Sequence, residues 1–321
     1  MTSILTNNAA NTALLNLQNT VKNLDKTQSE ISTGLRVSTA ADNASYYSIA
    51  TSLKSDSSAL STISDSLDVA DATLSTATDA MSKISDTLSK IKNSLITAQT
   101  QGADRTKIQG EIATYQAQLK TYAEGASLNG QNFLSVDSGA AGFNATASFV
   151  ASLSRSSDGT VAYGTITFDK TDTKLFDAAD QSGILDEVDS TTTGSFTNAD
   201  GTTETATADG KSVYNLDISA LTDEGADLAM INAYQKQVEA AIKSVTAASS
   251  VLGSTQSRIE SQKDFVDSLT NSVDAGVSSL VDADMNEAST RLSALQVQQQ
   301  LGVQALSIAN ESSQSILKLF Q

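Results

Sequence analysis

Residues 46–98 read YYSIATSLKSDSSALSTISDSLDVADATLSTATDAMSKISDTLSKIKNSLITA. Within them Tyr46, Ile49, Leu53, Asp56, Leu60, Ile63, Leu67, Ala70, Leu74, Ala77, Met81, Ile84, Leu88, Ile91, Leu95 and Ala98 recur alternately three and four residues apart, and only Asp56 is charged. A residue seven positions on returns to nearly the same helical face, and a left-handed supercoil absorbs the drift of roughly 20° per heptad. Proline, which breaks a helix interior, is missing from all 321 residues. The stretch therefore predicts one uninterrupted helix on the order of 80 Å long at 1.5 Å rise per residue. Its apolar row needs partners, because each large side chain buried is worth roughly 1.5–3 kcal/mol.

Working outward, the C-terminal part supplies a matching row. Val238, Val245, Leu252, Ile259, Val266, Val273 and Leu280 fall seven apart, with Ala241, Ala248, Thr255, Gln262, Leu269 and Gly276 as a smaller companion row. Upstream, Leu14, Leu17, Val21, Leu24, Gln28, Ile31 and Leu35 keep the three-four alternation. Met285, Ala288, Leu292, Leu295, Gln299, Gly302, Leu306, Ala309, Ser313, Ile316 and Phe320 carry it to the end. The expected fold is mainly α, a long antiparallel coiled-coil-like helical rod formed by the N- and C-terminal arms. Its packing residues are Leu60, Leu67, Leu74, Leu88, Val245, Leu252, Ile259 and Val266. Segments 1–35 and 286–321 extend beyond that rod and can cover only each other, so their rows stay partly wet until further copies arrive. Such ends are expected to be frayed in a single copy and ordered on incorporation.

Residues 140–224 break the helical pattern. They hold four basic residues (Arg155, Lys170, Lys174, Lys211) against fourteen acidic ones, a net −10 out of the chain's −17. This composition predicts a small, solvated β-containing central domain. Alternation marks strands at 143–153, 161–168 and 213–218. Asn129-Gly130 marks a hairpin turn, with a short strand around Phe133, Leu134 and Val136. Gly34, Arg36 and Asp42 form a junction loop before the long helix. Asp42 or Asn43 can cap that helix, and Asp104 the next one, through Ile108, Ile112, Tyr115, Leu119 and Tyr122. The expected divisions are 1–43, 44–139, 140–225, 226–284 and 285–321.

The chain lacks Cys, His and Trp. Disulfides, Cys or His metal sites and every Ser–His–Asp or Cys–His nucleophile are thereby excluded. A secreted metallopeptidase falls with them. Net charge −17 argues against nucleic acid and anionic membrane as partners. No eighteen-residue apolar run and no cleavable leader pattern is present. Asp282, Asp284 and Glu287 have no calcium-loop spacing and read as a helix N-terminal acidic group. Asp42 near Arg36 reads as a loop contact, Met81 and Met285 as packing residues, and Asn144-Ala145-Thr146 as a weak glycosylation triplet. No enzyme, catalytic residue, metal or cofactor is expected.

Residues 31–50, Ile-Ser-Thr-Gly-Leu-Arg-Val-Ser-Thr-Ala-Ala-Asp-Asn-Ala-Ser-Tyr-Tyr-Ser-Ile-Ala, resemble the N-terminal signature of bacterial flagellin. Ser127-Leu128-Asn129-Gly130-Gln131-Asn132-Phe133-Leu134 resembles that family's Asn-Gly turn. Val281-Asp282-Ala283-Asp284-Met285, Leu295-Gln296-Val297-Gln298-Gln299-Gln300, Ala309-Asn310 and Ile316-Leu317 resemble its C-terminal signature. The matches cover roughly two thirds of the chain, in the style of α-proteobacterial members with a short central domain. The resemblance implies a subunit that polymerises into the flagellar filament for motility. It implies that Leu14, Leu17, Val21, Leu24, Ile31, Leu292, Leu295, Leu306 and Ile316 form the filament's core layer. It further implies an extracellular product exported without signal cleavage by a type III apparatus. Implied partners are further copies in a helical filament, an export chaperone, cap and junction proteins, and co-assembling flagellin paralogues. The alternatives are a hook-filament junction protein or another secreted helical fibre or adhesin subunit. Where sensed members carry Arg and Glu-Leu for an innate receptor, this chain has Lys90 and Asn93-Ser94. Lys cannot reproduce the planar bidentate contacts of Arg.

Overall fold

The computed structural model describes residues 7–156 and 159–319. The order is α1 (Asn8–Thr33), α2 (Ala44–Ala98), α3 (Arg105–Gly125), β1 (Ser127–Leu128), β2 (Gln131–Asn132), β3 (Ser135–Val136), β4 (Thr146–Arg155), β5 (Val161–Asp169), β6 (Phe176–Asp177), β7 (Thr193–Thr197), β8 (Thr203–Thr207), α4 (Gly225–Val281) and α5 (Met285–Leu319). A 3₁₀ turn spans Lys170–Asp172. Two compact units result, one of residues 1–59 with 268–321 and one of residues 60–267; α2 and α4 contribute to both.

Helix ends follow local chemistry. Asn7 accepts from the N–H of Ala10, Asp104 from Lys107, and Asp284 from Asn286 and Glu287. At α2 the cap is Asn43, whose side chain accepts from the N–H groups of Ser45 and Tyr46 at 3.1 Å. Each satisfies donors that have no partner within the helix.

In the unit of residues 60–267, Leu60, Ile63, Leu67, Ala70, Leu74, Ala77, Met81, Ile84, Leu88, Ile91, Leu95 and Ala98 are all buried. They meet Val238, Ala241, Val245, Ala248, Leu252, Thr255, Ile259 and Val266 of α4, also buried. Cross-links between the helices fix their antiparallel sense. Ser64 donates to Asp267 at 2.9 Å, Lys92 pairs with Glu239 at 3.3 Å, and Lys263 pairs with Asp68. α3 closes on the loop that follows the strands. Gln116 donates to the carbonyls of Val213 and Leu216 at 3.1 Å, and Gln109 accepts from the N–H of Ile218 at 3.0 Å. Residues 213–218, expected as a strand, form a buried loop instead: these amide side chains take the backbone groups a ladder would have used. Buried Arg105 donates to the Ala98 carbonyl at 3.1 Å and to Asp223 at 2.7 Å.

Among the described residues, four two-stranded sheets sit in this unit. The β1–β2 hairpin turns through Asn129 (φ 52°) and Gly130 (φ 75°), the positive pair a two-residue type I′ turn requires. β3 pairs in parallel with β6. β4 and β5 form the longest hairpin, with a bulge between Val150 and Ser152. β7 and β8, a Thr-rich hairpin, escaped the sequence reading because Thr and Gly at 193–207 give no apolar alternation. Gly194 lets β7 approach α4: a Cβ there would collide with the backbone of Ala229 and Ala233. Phe133, fully buried, holds Phe168 edge-on at 5.0 Å and Phe149 at 6.3 Å.

Carboxylates pin the loops here. Burial alone would push Asp177 up. The N–H of Ser138 at 3.0 Å and the Lys174 ammonium at 2.9 Å instead hold it well below the ordinary range. Burial acts the same way on Asp189, but the Thr192 hydroxyl and the Thr191 N–H and hydroxyl bring it down to about 2. Asp186 goes the other way, raised by burial despite accepting from Asp177 and Gly183. The two depressed groups contribute stability above the ordinary carboxylate pKa, and it is lost as pH falls toward 2 and below. Asp186 opposes them, since its protonation on acidification relieves a destabilising buried charge. We expect urea midpoints to fall between pH 4 and pH 2, with a shallower fall in Asp189→Asn. That variant should lose roughly 1.5–3 kcal/mol at pH 7, the usual worth of hydrogen bonds to a charged group.

Candidate assembly face and junction loop

The other unit, residues 1–59 with 268–321, holds α1 against α5 in antiparallel fashion. Asn7 donates to the carbonyl of Ala309 at 3.0 Å, Gly302 lies against Leu17, and Arg291 stands 3.9 Å from Glu30. The sequence-predicted core-layer residues mostly face this pair. Leu295 is buried, and Leu17, Val21, Leu24, Ile31, Leu292 and Leu306 are half-buried. Leu14 is exposed. Ile316 belongs to α5, but its side chain lies outside the described residues, as does the whole of Phe320. Gln28, expected in the row, is exposed, and Thr27 and Glu30 are buried in its place. A straight helix drifts away from a strict heptad row, which moves the inward face onto these polar neighbours.

α5 carries a second apolar row that the alternation missed. Val297, Leu301 and Ile308 lie within roughly 40° of one another around the helix and about 120–180° from Ala288, Leu295 and Leu306, at 3.6 residues per turn. Their exposures are 55%, 57% and 66%, against 8% for Leu295. Val303, and Leu14 and Leu15 of α1, are exposed as well. Spacings of four and seven between 297, 301 and 308 were the available signal.

The junction loop is tied to the end of α4. Gly34 ends α1 at φ 72°, a left-handed cap whose N–H reaches the Glu30 carbonyl. Leu35 then bridges Asp282: the N–H groups of Arg36 and Val37 donate to the Val281 carbonyl at 2.7 and 3.2 Å, and Ala283 donates to Gly34 at 2.9 Å. The Arg36 guanidinium donates to the Leu280 carbonyl at 3.1 Å, and Asp42 turns to its own loop. The Asp42 carboxylate accepts from the N–H of Thr39 at 3.0 Å and of Ser38 at 3.2 Å and from both hydroxyls, led by the Thr39 N–H, which hold its pKa down. Asp42 also stands 3.9 Å from Lys26.

Beneath the loop, Val37, Ala50, Val277 and Val281 form a small core with Leu35, Leu53 and Leu280 against it. Two expectations change here. Tyr46 and Ile49 are exposed and Ala50 is buried, and the α4 row moves from Val273 and Leu280 to Val277 and Val281. From Val266 to Val277 is eleven residues, the spacing of a nearly straight helix rather than a heptad supercoil.

Among the described residues no group of three or more His, Cys, Asp or Glu could hold a metal ion, and no helix is long and apolar enough to cross a membrane. Lys90 lies 5.8 Å over the ring of Tyr115, and with Asn93 and Ser94 lines a shallow groove between α2 and α3.

Residues 4–138 match the bacterial flagellin N-terminal helical region, and residues 235–320 match the bacterial flagellin C-terminal helical region. Flagellin C of Rhizobium meliloti (strain 1021) is 42% identical over 330 residues, covering 100% of both chains. The flagellin of Brucella melitensis biotype 1 is 42% identical over 322 residues with the same coverage. Flagellin A of Rhizobium meliloti (strain 1021) is 38% identical over 396 residues, again covering 100% of both, and so carries insertions absent here. Flagellins B and D of that strain align along their full length too. With its paired terminal helices, its Asn-Gly hairpin and these end-to-end alignments, the chain belongs to the bacterial flagellin family.

Proposed function

We propose that this flagellin enters its filament through the unit built from both chain ends, with Leu14, Leu15, Val297, Leu301 and Ile308 buried against neighbouring copies. A flagellin is the structural subunit of the flagellar filament and serves motility. The observation that carries the assembly reading is the two-faced α5: one apolar row is used on α1, and the opposite row stays in water. Copies related by a helical operator make heterologous contacts that do not close, so growth continues. Under this reading α1, α5 and the core-layer residues Leu17, Val21, Leu24, Ile31, Leu292, Leu295, Leu306 and Ile316 form the inner layer. Leu60, Leu67, Leu74, Leu88, Val245, Leu252, Ile259 and Val266 stiffen the rod, and residues 140–225 face outward. The loop at Gly34, Arg36 and Asp42 sets the joint between α1 and α2.

The product is then extracellular, exported without signal cleavage. A chaperone holds the exposed α5 row beforehand, cap and junction proteins bound the filament, and paralogous flagellins co-assemble where a genome encodes several. Hydrogen exchange tests the core of this. Amides of α1 and α5 should exchange on the order of tenfold or more slowly in seeded filaments than in monomer. Equal exchange in both states would sink the assignment.

A further inference from the structure

Hydrogen-bond register fixes which strand edges of residues 146–207 are satisfied. In the β4–β5 hairpin Lys170 donates to the Ala145 carbonyl and Ser156 to the Thr160 carbonyl. Antiparallel pairing alternates bonded and non-bonded pairs. Residues 162, 164, 166 and 168 of β5 therefore face β4, and the N–H and C=O groups of Val161, Tyr163, Thr165 and Thr167 point away from it. In the β7–β8 hairpin Asn198 donates to Thr202 and Ala208 to Thr192. Thr203, Thr205 and Thr207 of β8 likewise point away from β7.

The inner strand of each hairpin is capped by side chains of α4. Gln262 donates to the Ala151 carbonyl of β4 at 2.9 Å. Asn232 accepts from the Ser195 N–H of β7 at 3.3 Å, and Lys236 donates to the Thr193 carbonyl at 3.1 Å. Each strand belongs to only one pair. Among the described residues the outward groups of β5 and β8 have no such cap. Their side chains at these positions are exposed, with Tyr163 at 62%.

Natural proteins blunt long open edges with Lys, Pro or inward charge. Neither edge carries Lys or Pro: the outward residues are Val, Tyr and Thr, residues 161–168 hold no charged side chain, and β8 carries one charge, Glu204, at a position whose backbone groups face β7, in a chain of net −17. The ligand such an edge fits is another extended strand. An uncharged edge is also where two copies of so acidic a chain approach with least repulsion. Two different open edges on one subunit are what a heterologous, non-closing contact needs, whereas β5 against itself would close a two-fold.

We propose that β5 of one copy pairs with β8 of a neighbouring copy, extending a sheet between subunits of the filament. This rests on the polymer reading above and adds a contact far in sequence from the chain ends. The chain has no Cys, so single-cysteine variants report the pairing. Thr165→Cys and Thr205→Cys are each assembled alone and as a mixture, checked for filaments by electron microscopy, then oxidised. The expected result is filaments in all three, disulfide dimer in the mixture at on the order of tenfold above either variant alone, because facing residues lie about 4.5–5.5 Å apart at Cβ. Filaments without dimer, or dimer in Thr165→Cys alone, overturn the pairing and leave the assembly reading intact. No filaments in any sample overturns both. Thr167→Pro, added to the Thr165→Cys chain, checks the backbone: it removes an outward N–H of β5, spares every bond to β4 and leaves the cysteine at position 165 in place. Seeded filaments of that double variant mixed with Thr205→Cys should lose the dimer, and undiminished cross-linking would count against strand pairing.

Discussion

Leu301→Asp abolishes seeded elongation while the monomer unfolds as the parent does. In a single copy Leu301 is 57% exposed, about 120° around α5 from Leu295, so a carboxylate there stays hydrated. Once the face is covered by a neighbour, that carboxylate loses water among aliphatic side chains with no cation to meet it. The penalty for an uncompensated buried charge is several kcal/mol, and each 1.4 kcal/mol is tenfold in an equilibrium constant. A loss of about 3–5 kcal/mol lowers the elongation constant by roughly 100- to 4000-fold, beyond what a seeded assay detects at ordinary concentrations. Leu295→Asp fails for another reason. Leu295 is buried against α1, so its charge breaks the α1–α5 pair and the monomer loses helix signal. Circular dichroism separates the two variants. Elongation of Leu301→Asp at the parent rate would remove the outward row from the assembly face.

Phe133→Ala lowers the stability of the unit of residues 60–267 by about 3–5 kcal/mol, the usual cost of truncating a buried Phe. The ring is 1% exposed and wedged edge-on against Phe168. Phe149 and Phe168 stack on one another at 6.4 Å, so removal exposes a cavity on both strands of the longest hairpin. The backbone around it is equally committed. Thr173 donates to the Phe133 carbonyl at 3.2 Å, and Leu175 and Phe176 donate to that of Leu134. The expected observation is a lower urea midpoint at unchanged slope. Leu128→Ala, at a partly exposed residue of β1, should shift it by under 1 kcal/mol. Equal shifts in the two variants would show that the aromatic cluster is not the anchor.

Wherever one helical face meets one long partner, the pattern was legible. The row from Leu60 to Ala98 is buried in register because every third or fourth side chain points the same way, whatever lies opposite. Asn129-Gly130 forms its turn because only residues tolerating positive φ suit it. Asp104 and Asn43 cap helices through bonds two or three residues away. All of these are local chemistry.

The rest depended on partners distant in sequence. Residues 213–218 alternate like a strand, but Gln109 and Gln116, about a hundred positions earlier, take their backbone groups and hold a loop. α5 carries apolar residues on two opposite sides, and its own sequence cannot say which side meets α1. That choice is made by Leu17 against Gly302, Asn7 at Ala309 and Glu30 near Arg291. Sequence by itself determined the helices, their caps and the long buried row, because those interactions lie within a turn or two of the chain. Tertiary structure decided which apolar row is dry and which is offered to the next copy, because burial belongs to the pair of surfaces and not to either helix alone.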